Sequence, residues 1–208
     1  MSKYQTEQER FWAGEFGDQY IDRNRDRTII AGNLALFGKI LQRTQSVRSA
    51  IEFGANIGLN LEALRLLVPG IALFAVEINA KAVGALEKLG GIVIHAQSML
   101  DFQPQAQYDL VLIKGVLIHI NPERLSEVYD RLRQSARRYI CIVEYYNPTP
   151  VEVPYRGNRD RLFKRDFAGE MLDRFVDLRL VDYGFAYHRD PNFPQDDGNW
   201  FLLEKAAQ

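Results

Sequence analysis

The sequence predicts an α/β protein: a three-layer sandwich around a mostly parallel seven-stranded sheet, with helices at the N-terminal end and an antiparallel hairpin at the C-terminal end. Three observations lead there. Apolar runs of strand length occur at 49–53, 71–77, 91–95, 108–113 and 138–145, and their near-continuous apolar character is that of parallel strands buried on both faces. The segments between them carry helical periodicity, so each connection is a crossover helix. The last two strand candidates, Val176–Val181 and Asn199–Glu204, are separated by the loop chemistry of Asp190-Pro191-Asn192-Phe193-Pro194. Strands joined without a crossover helix pair antiparallel.

Taken in order, residues 8–24 and 28–43 read as two helices, a cap over residues 1–44 that precedes an α/β core at 45–208. Leu61, Leu64 and Leu67 mark the helix after the first strand. Asn79 can cap a helix carrying Val83, Leu86 and Leu89, and Asn121-Pro122 sets a capping residue before a proline at a helix start, with Leu125, Val128 and Leu132 as the stripe that follows. A helix is expected at 166–174. Residues 146–165 form the longest stretch expected to be irregular.

Composition narrows the function classes. The 208 residues suit one domain, and their formal charge of −1 gives no field that draws in nucleic acid or an anionic membrane. No apolar run reaches the roughly 18 residues of a membrane span, and the polar segment Met1–Arg10 lacks a secretory signal, so a cytoplasmic location is the default. Cys141, the one cysteine, lies in an apolar run and reads as buried. No metal site is expected, and the oligomeric state is not legible.

The strongest local signal is Glu52-x-Gly54-x-Asn56-x-Gly58, where the first strand gives way to a helix. Ligands of open parallel sheets bind at the carboxyl ends of strands. Glycine permits close approach and positive φ, and Asn is the other residue that tolerates left-handed geometry. Any tight strand-to-helix turn favours the same residues, so neighbours must decide. The second strand ends in Glu77-Ile78, with Glu77 nineteen residues after Gly58, near the spacing of a ribose-binding acid. An oxidoreductase using NAD shares this geometry, but its pyrophosphate needs Gly-x-Gly-x-x-Gly. Here Asn56 replaces the second glycine, and Glu52 suits a cationic ligand better than a pyrophosphate. The pattern favours S-adenosylmethionine (SAM).

On these residues the chain resembles the class I SAM-dependent methyltransferases, over about 45–205. The resemblance implies their Rossmann-like fold, SAM as methyl donor and S-adenosylhomocysteine (SAH) as product. Glu52 to Gly58 resembles the first motif of the family, and Glu77 its ribose acid. His95–Asp101 resembles the segment after the third strand that holds the adenine; Ser98, beside Met99, aligns with a position that is often Asp. Tyr108–His119 resembles the fourth-strand motif, whose tail, here Lys114, Gly115 and Val116, lines the methionine moiety. A narrower resemblance starts at Phe11-Trp12-Ala13-Gly14-Glu15-Phe16-Gly17-Asp18-Gln19-Tyr20-Ile21-Asp22-Arg23-Asn24 and covers nearly the whole chain. It is to methyltransferases associated with pseudaminic acid biosynthesis, and it implies a sugar or nucleotide-sugar acceptor.

Trp12, Phe16 and Tyr20 fall on one helical face. They can pack the N-terminal helix on the sheet, or cover the donor with aromatic rings near its sulfonium. Catalytic candidates are those expected above the carboxyl edge of the sheet: His119 as a base, or Glu144 and Tyr145 at the end of the fifth strand. His95 and His188 read as structural and loop residues. In the 146–165 loop, Tyr146, Tyr155, Arg156, Arg159 and Lys164 are the candidate acceptor contacts. Across 156–165, Arg156, Arg159, Arg161, Lys164 and Arg165 face only Asp160, which suits a carboxylate or phosphate; partners within the chain, such as Asp166 and Glu170, are the alternative. The expectation is therefore a methyltransferase for a small anionic acceptor, such as a nonulosonic-acid sugar. Its rivals are the NAD oxidoreductase and a SAM-binding scaffold without catalysis.

Overall fold

A computed structural model of the chain describes residues 4–24 and 26–206; residues 1–3 of the polar N-terminal segment lie outside them. The elements are α1 (Glu7–Ala13), α2 (Glu15–Arg23), α3 (Thr28–Leu41), β1 (Ser49–Phe53), α4 (Leu59–Leu67), β2 (Ala72–Glu77), α5 (Ala80–Leu89), β3 (Ile92–Ala96), β4 (Tyr108–Lys114), α6 (Leu125–Ser135), β5 (Ala136–Glu144), β6 (Val151–Glu152), β7 (Phe163–Lys164), α7 (Phe167–Arg174), β8 (Leu178–Ala186) and β9 (Gly198–Lys205). Seven strands form one sheet in the order β3-β2-β1-β4-β5-β9-β8. The first five are parallel, and β9 inserts antiparallel between β5 and β8.

The apolar runs are continuous because both faces are covered. Along β4, Val111 and Ile113 pack into the core with α6 and α7, while Leu110 and Leu112 pack into the core with α3 and α4. Cys141 is buried in the second of these cores. Side-chain caps fix the helix starts. Asn79 accepts from the N–H groups of Lys81 and Ala82, Asp166 accepts from Gly169, and Asn121 caps a short 3-10 turn that leads into α6. Because β1 and β4 are neighbours, the chain reverses direction across the sheet between them, and the crevice at their carboxyl ends is a topological switch point.

Two expectations are corrected. The single helix at 8–24 is two helices, broken at Gly14, whose extended φ −105°, ψ −157° ends α1 and starts α2. The aromatic spacing runs through the break, so periodicity alone does not reveal it. The break lets α2 dock against the chain before it: a Cβ on Gly17 would lie 1.9 Å from the Trp12 carbonyl oxygen. The 146–165 segment is not irregular throughout. β6 and β7 pair within it, Val153 N–H donates to the Leu162 carbonyl at 2.9 Å, and a bridge joins Tyr155 to Asn158. Arg156 and Gly157, at φ +48° and +81°, turn the hairpin.

Among the described residues no helix is long and apolar enough to cross a membrane, and no group of three or more His, Cys, Asp or Glu side chains is placed to hold a metal ion.

Candidate functional site

The turn after β1 has the geometry its residues were suited for. Gly54, Asn56 and Gly58 take φ values of +73°, +48° and +84°. A Cβ on Gly54 would lie 2.7 Å from a Val116 methyl, so this turn packs directly on the turn after β4. Glu77 braces it from the neighbouring strand, its carboxylate accepting from the Asn56 and Asn79 N–H groups at 2.7 Å each. Burial pushes the Glu77 pKa up, and those N–H groups oppose the rise.

A cavity of about 520 Å³ opens at the carboxyl ends of β1, β2 and β4, under α1 to α3, within the range of small-molecule sites. Of the sequence-predicted residues, Trp12, Tyr20, Gly54, Asn56, Glu77, Ile78, Ser98, Met99, Lys114, Gly115, Val116 and His119 line it. Phe16, Glu52, Gly58, Glu144, Tyr145, Tyr146, Tyr155, Arg156, Arg159 and Lys164 are not in its wall. Phe16 stacks on Phe11 at 4.0 Å between ring centroids, whereas Trp12 and Tyr20 turn inward, so the aromatic stripe both packs and lines.

Glu52, Lys114 and Glu144 sit at the ends of the adjacent strands β1, β4 and β5. Glu52 is fully buried; its Oε1 accepts from Asn60 Nδ2 at 2.6 Å and its Oε2 has no partner among the described residues. Burial pushes its pKa up to about 8, against the pull of Asn60 and Lys114. Burial lowers the Lys114 pKa, opposed by Glu52, Asp196 and Glu144. Glu144 accepts from the Val116 and Leu117 N–H groups at 2.8 Å each, with burial raising its pKa to about 7. Its carboxylate therefore braces the loop after β4 from behind the cavity wall.

His119 is buried. Its Nδ1 donates to the Arg161 carbonyl at 2.5 Å, and its ring lies 4.5 Å from that of Trp12 and 4.9 Å from that of Tyr155. Burial lowers its pKa to about 4. The imidazole is therefore neutral at neutral pH and a weak base. We expect no ionisation of His119 in a pH–rate profile between pH 5 and 8; a rate step near pH 6.5 that His119→Gln abolishes would show otherwise.

The basic hairpin divides in two. Arg161 pairs with Glu7 at 3.3 Å, and Arg165 with Glu170 at 2.5 Å. Arg156 lies over the Tyr155 ring and Lys164 over the Tyr145 ring, at 6.0 and 5.0 Å, with no carboxylate in ion-pair contact among the described residues; Arg159 is exposed. His188 sits in the β8–β9 loop, its Nδ1 2.7 Å from Asp197, and His95 lies in β3 against Phe102.

Three further cavity residues escape sequence reasoning. Glu9 accepts from the Ser98 hydroxyl and completes a capping box with Thr6, so the hydroxyl aligned with the adenine site is tied to α1. The Thr6-x-x-Glu9 spacing could have flagged it. Asn33 is fully buried in α3 with neither side-chain polar atom partnered among the described residues; an amide amid Ile30, Leu34 and Leu36 was its signal. Asp196, in a loop, left no signal beyond its charge.

The cavity fits a SAM-like donor. Asn56 Oδ1 and Trp12 Nε1, on residues that line it, are buried without partners among the described residues, and Glu77 presents a fixed carboxylate. Its first turn departs from a pyrophosphate site, because Asn56 stands where the Gly-x-Gly-x-x-Gly turn needs its second glycine.

No family model and no curated protein matches the sequence. Solved structures do match the fold. The Burkholderia thailandensis 1,6-didemethyltoxoflavin-N1-methyltransferase, with its substrate and SAH bound, aligns at 16% identity and a TM-score of 0.68, over 92% of this chain and 85% of that one. The magnesium protoporphyrin IX methyltransferase of Synechocystis PCC 6803, with SAH bound, aligns at 14% identity and a TM-score of 0.69, over 95% and 98%. A glycopeptide N-methyltransferase aligns at 12% identity and a TM-score of 0.62, over 86% and 96%. The fold is that of the class I SAM-dependent methyltransferases.

Proposed function

We propose that this chain is a SAM-dependent methyltransferase with a small-molecule acceptor. The observation that carries the reading is Glu77: a carboxylate pinned by the Asn56 and Asn79 N–H groups, at the end of β2, on the rim of a cavity at the switch point. In this reading Glu77 holds the ribose hydroxyls, Ile78, Ser98 and Met99 border the adenine, and Asn56 with Lys114, Gly115 and Val116 borders the amino-acid end. Trp12 and Tyr20 face the sulfonium with aromatic rings. SAM, when bound, supplies an electrophilic methyl group on a good leaving group; the protein aligns the acceptor and excludes water.

The acceptors named for the structural neighbours range from a toxoflavin precursor to a porphyrin and a glycopeptide, so the fold does not select one. The narrower choice, an anionic sugar of the nonulosonic-acid kind handled by one cytoplasmic domain, is supported by the sequence resemblance and by Arg156, Arg159 and Lys164, which lack carboxylate partners among the described residues. Calorimetric titration with SAM, SAH and NAD tests the donor: SAM and SAH should bind and NAD should not. NAD binding in the absence of SAM binding would sink the reading. Labelled SAM with a panel of sugar acids, nucleotide sugars and amines should then yield a methylated product. Arg156→Ala and Arg159→Ala should raise the acceptor KM several-fold and leave SAH affinity unchanged; unchanged acceptor kinetics in both would remove the anion site.

A further inference from the structure

Two side chains of the cavity wall are oriented from behind by consecutive backbone carbonyls of the β6–β7 hairpin. The Gln8 amide of α1 donates through Nε2 to the Asp160 carbonyl at 3.1 Å, and the His119 ring donates through Nδ1 to the Arg161 carbonyl at 2.5 Å. A carbonyl only accepts. The amide must therefore turn its nitrogen to the hairpin, and the imidazole must carry its proton on Nδ1. Each side chain is left with a lone pair. Gln8 Oε1 is buried, and neither it nor His119 Nε2 has a partner among the described residues. Burial lowers the His119 pKa to about 4, so Nε2 stays unprotonated at neutral pH.

The two lone pairs belong to one region of the wall. Trp12 stands one turn after Gln8 on α1, and its ring lies 4.5 Å from that of His119. Gln8, Trp12 and His119 all line the cavity. The charges beside them are engaged. Glu9 accepts from the Gln5 and Thr6 N–H groups and from the Ser98 hydroxyl, and Arg161 turns its guanidinium to Glu7 and the Phe11 ring. The free charges of the wall stand on the other side of the sheet edge. Lys114 alternates along β4 with Leu110 and Leu112, which pack toward α3 and α4. Asp196 follows Gln195, whose side chain rests on Gly32 of α3. His119 instead follows Leu117 and Ile118, which pack into the core with α6 and α7. Two lone pairs without a free charge beside them suit a group that brings hydrogens and no charge.

We propose that Gln8 Oε1 and His119 Nε2 receive the hydrogens of an uncharged amino group on the acceptor, and so select a neutral nitrogen nucleophile whose lone pair stays free for the donor. The proposal rests on the methyltransferase reading and names its substrate class. An amine that is protonated in water gives that proton to solvent before it binds, and neither Gln8 nor His119 takes up a proton. The nitrogen lone pair forms the bond to the methyl carbon, and the electron pair of the broken methyl–sulfur bond stays on sulfur. The positive charge passes from the sulfonium to the methylated nitrogen, which keeps its hydrogens until the product meets water.

The test is calorimetric binding to the SAH-loaded protein with two probe pairs. The amine of 4-aminobenzoate is uncharged across about pH 6.5–8.5, and benzoate lacks it. The amine of glucosamine 6-phosphate loses its proton toward the upper end of that range, and glucose 6-phosphate lacks it. At about pH 8.5 at least one amine should bind about tenfold more tightly than its amine-free counterpart. An advantage of 4-aminobenzoate should stay level with pH, and one of glucosamine 6-phosphate should fade toward about pH 6.5. Gln8→Leu and His119→Phe should each remove the advantage and bind SAH like the wild type, which also reports that they are folded. In the wild type, which needs no variant, the amine should move the NMR resonance of His119 Nε2 and its counterpart should not. The proposal is overturned by equal binding within both pairs, by a glucosamine 6-phosphate advantage that grows toward low pH, by an advantage kept in either variant, or by an unmoved Nε2 resonance. Loss of SAH affinity in a variant that melts like the wild type assigns the pair to the donor and overturns it too. Failure of the wild type to bind SAH overturns the donor reading itself, and this proposal with it.

Discussion

Replacing Glu77 by alanine is expected to raise the Kd for SAM and SAH by one to two orders of magnitude, more than any other single substitution in the donor half. Two losses add. In the proposed donor site the ribose hydroxyls lose a charged acceptor, on the order of 1–3 kcal/mol. The Asn56 and Asn79 N–H groups, each 2.7 Å from this carboxylate, lose theirs as well, which loosens both the left-handed turn after β1 and the start of α5. Glu77→Gln should fall between the wild type and the alanine variant in affinity. Its one carbonyl can serve one of those N–H groups, and its amide nitrogen meets the other as a second donor. The melting temperature should drop with the affinity, by roughly 2–4 °C per kcal/mol for a chain of this size. Calorimetry with SAH measures the first effect and thermal unfolding the second. Unchanged SAH affinity in Glu77→Ala would remove Glu77 from the donor site.

The protein should also lose stability as the pH rises from about 6.5 to 8, above the window of about 4 to 6.5 in which the buried His119, with its lowered pKa, acts in the opposite sense. Glu52 and Glu144 are buried and titrate near 8 and 7, against an ordinary value of 4.5. Between 4.5 and those values the folded chain keeps protons that the unfolded chain has released, so unfolding becomes easier with each pH unit. The slope is at most about 1.4 kcal/mol per pH unit for each group. Lys114, with its pKa lowered by burial, acts in the opposite sense over the window that ends at 10.5. Carboxylates held below their usual range, such as Asp177 beside Arg133, act on the acid side of 3.8 and do not mask the effect. Glu52→Gln keeps the shape and removes one titration. Plots of the variant's melting temperature against pH should therefore be flatter across pH 6.5–8 than those of the wild type. Parallel curves would show that Glu52 does not carry a proton in the folded state.

Much of the fold was legible because its strands are buried on both faces and so announce themselves as apolar runs: β1 to β5 fall within one or two residues of 49–53, 71–77, 91–95, 108–113 and 138–145. The closing hairpin was legible from the absence of a helix between its strands. Gly14 was not, because the aromatic repeat crosses it unbroken and a glycine inside a helical pattern is tolerated. The β6–β7 hairpin was not, because strands of two residues carry no period and their pairing depends on what they pack against. For the site, the sequence held what the backbone demands at the first turn, since positive φ selects Gly and Asn. It did not hold what three-dimensional convergence decides. The pairing of Arg161 with Glu7, the tie from Ser98 to Glu9 and the approach of Asp196 to Tyr145 join segments that no spacing rule connects.

The carboxylate of Glu144 ends β5 and holds the Val116 and Leu117 N–H groups after β4, while the ring of the next residue, Tyr145, lies under the Lys164 ammonium of the β6–β7 hairpin. One side chain therefore pins the turn that lines the cavity to the strand end that leads to the hairpin. Its consequence is thermodynamic coupling: a double-mutant cycle between Tyr145→Phe and Val116→Ala, scored on SAH affinity and acceptor KM, should be non-additive, although one residue follows β4 and the other β5.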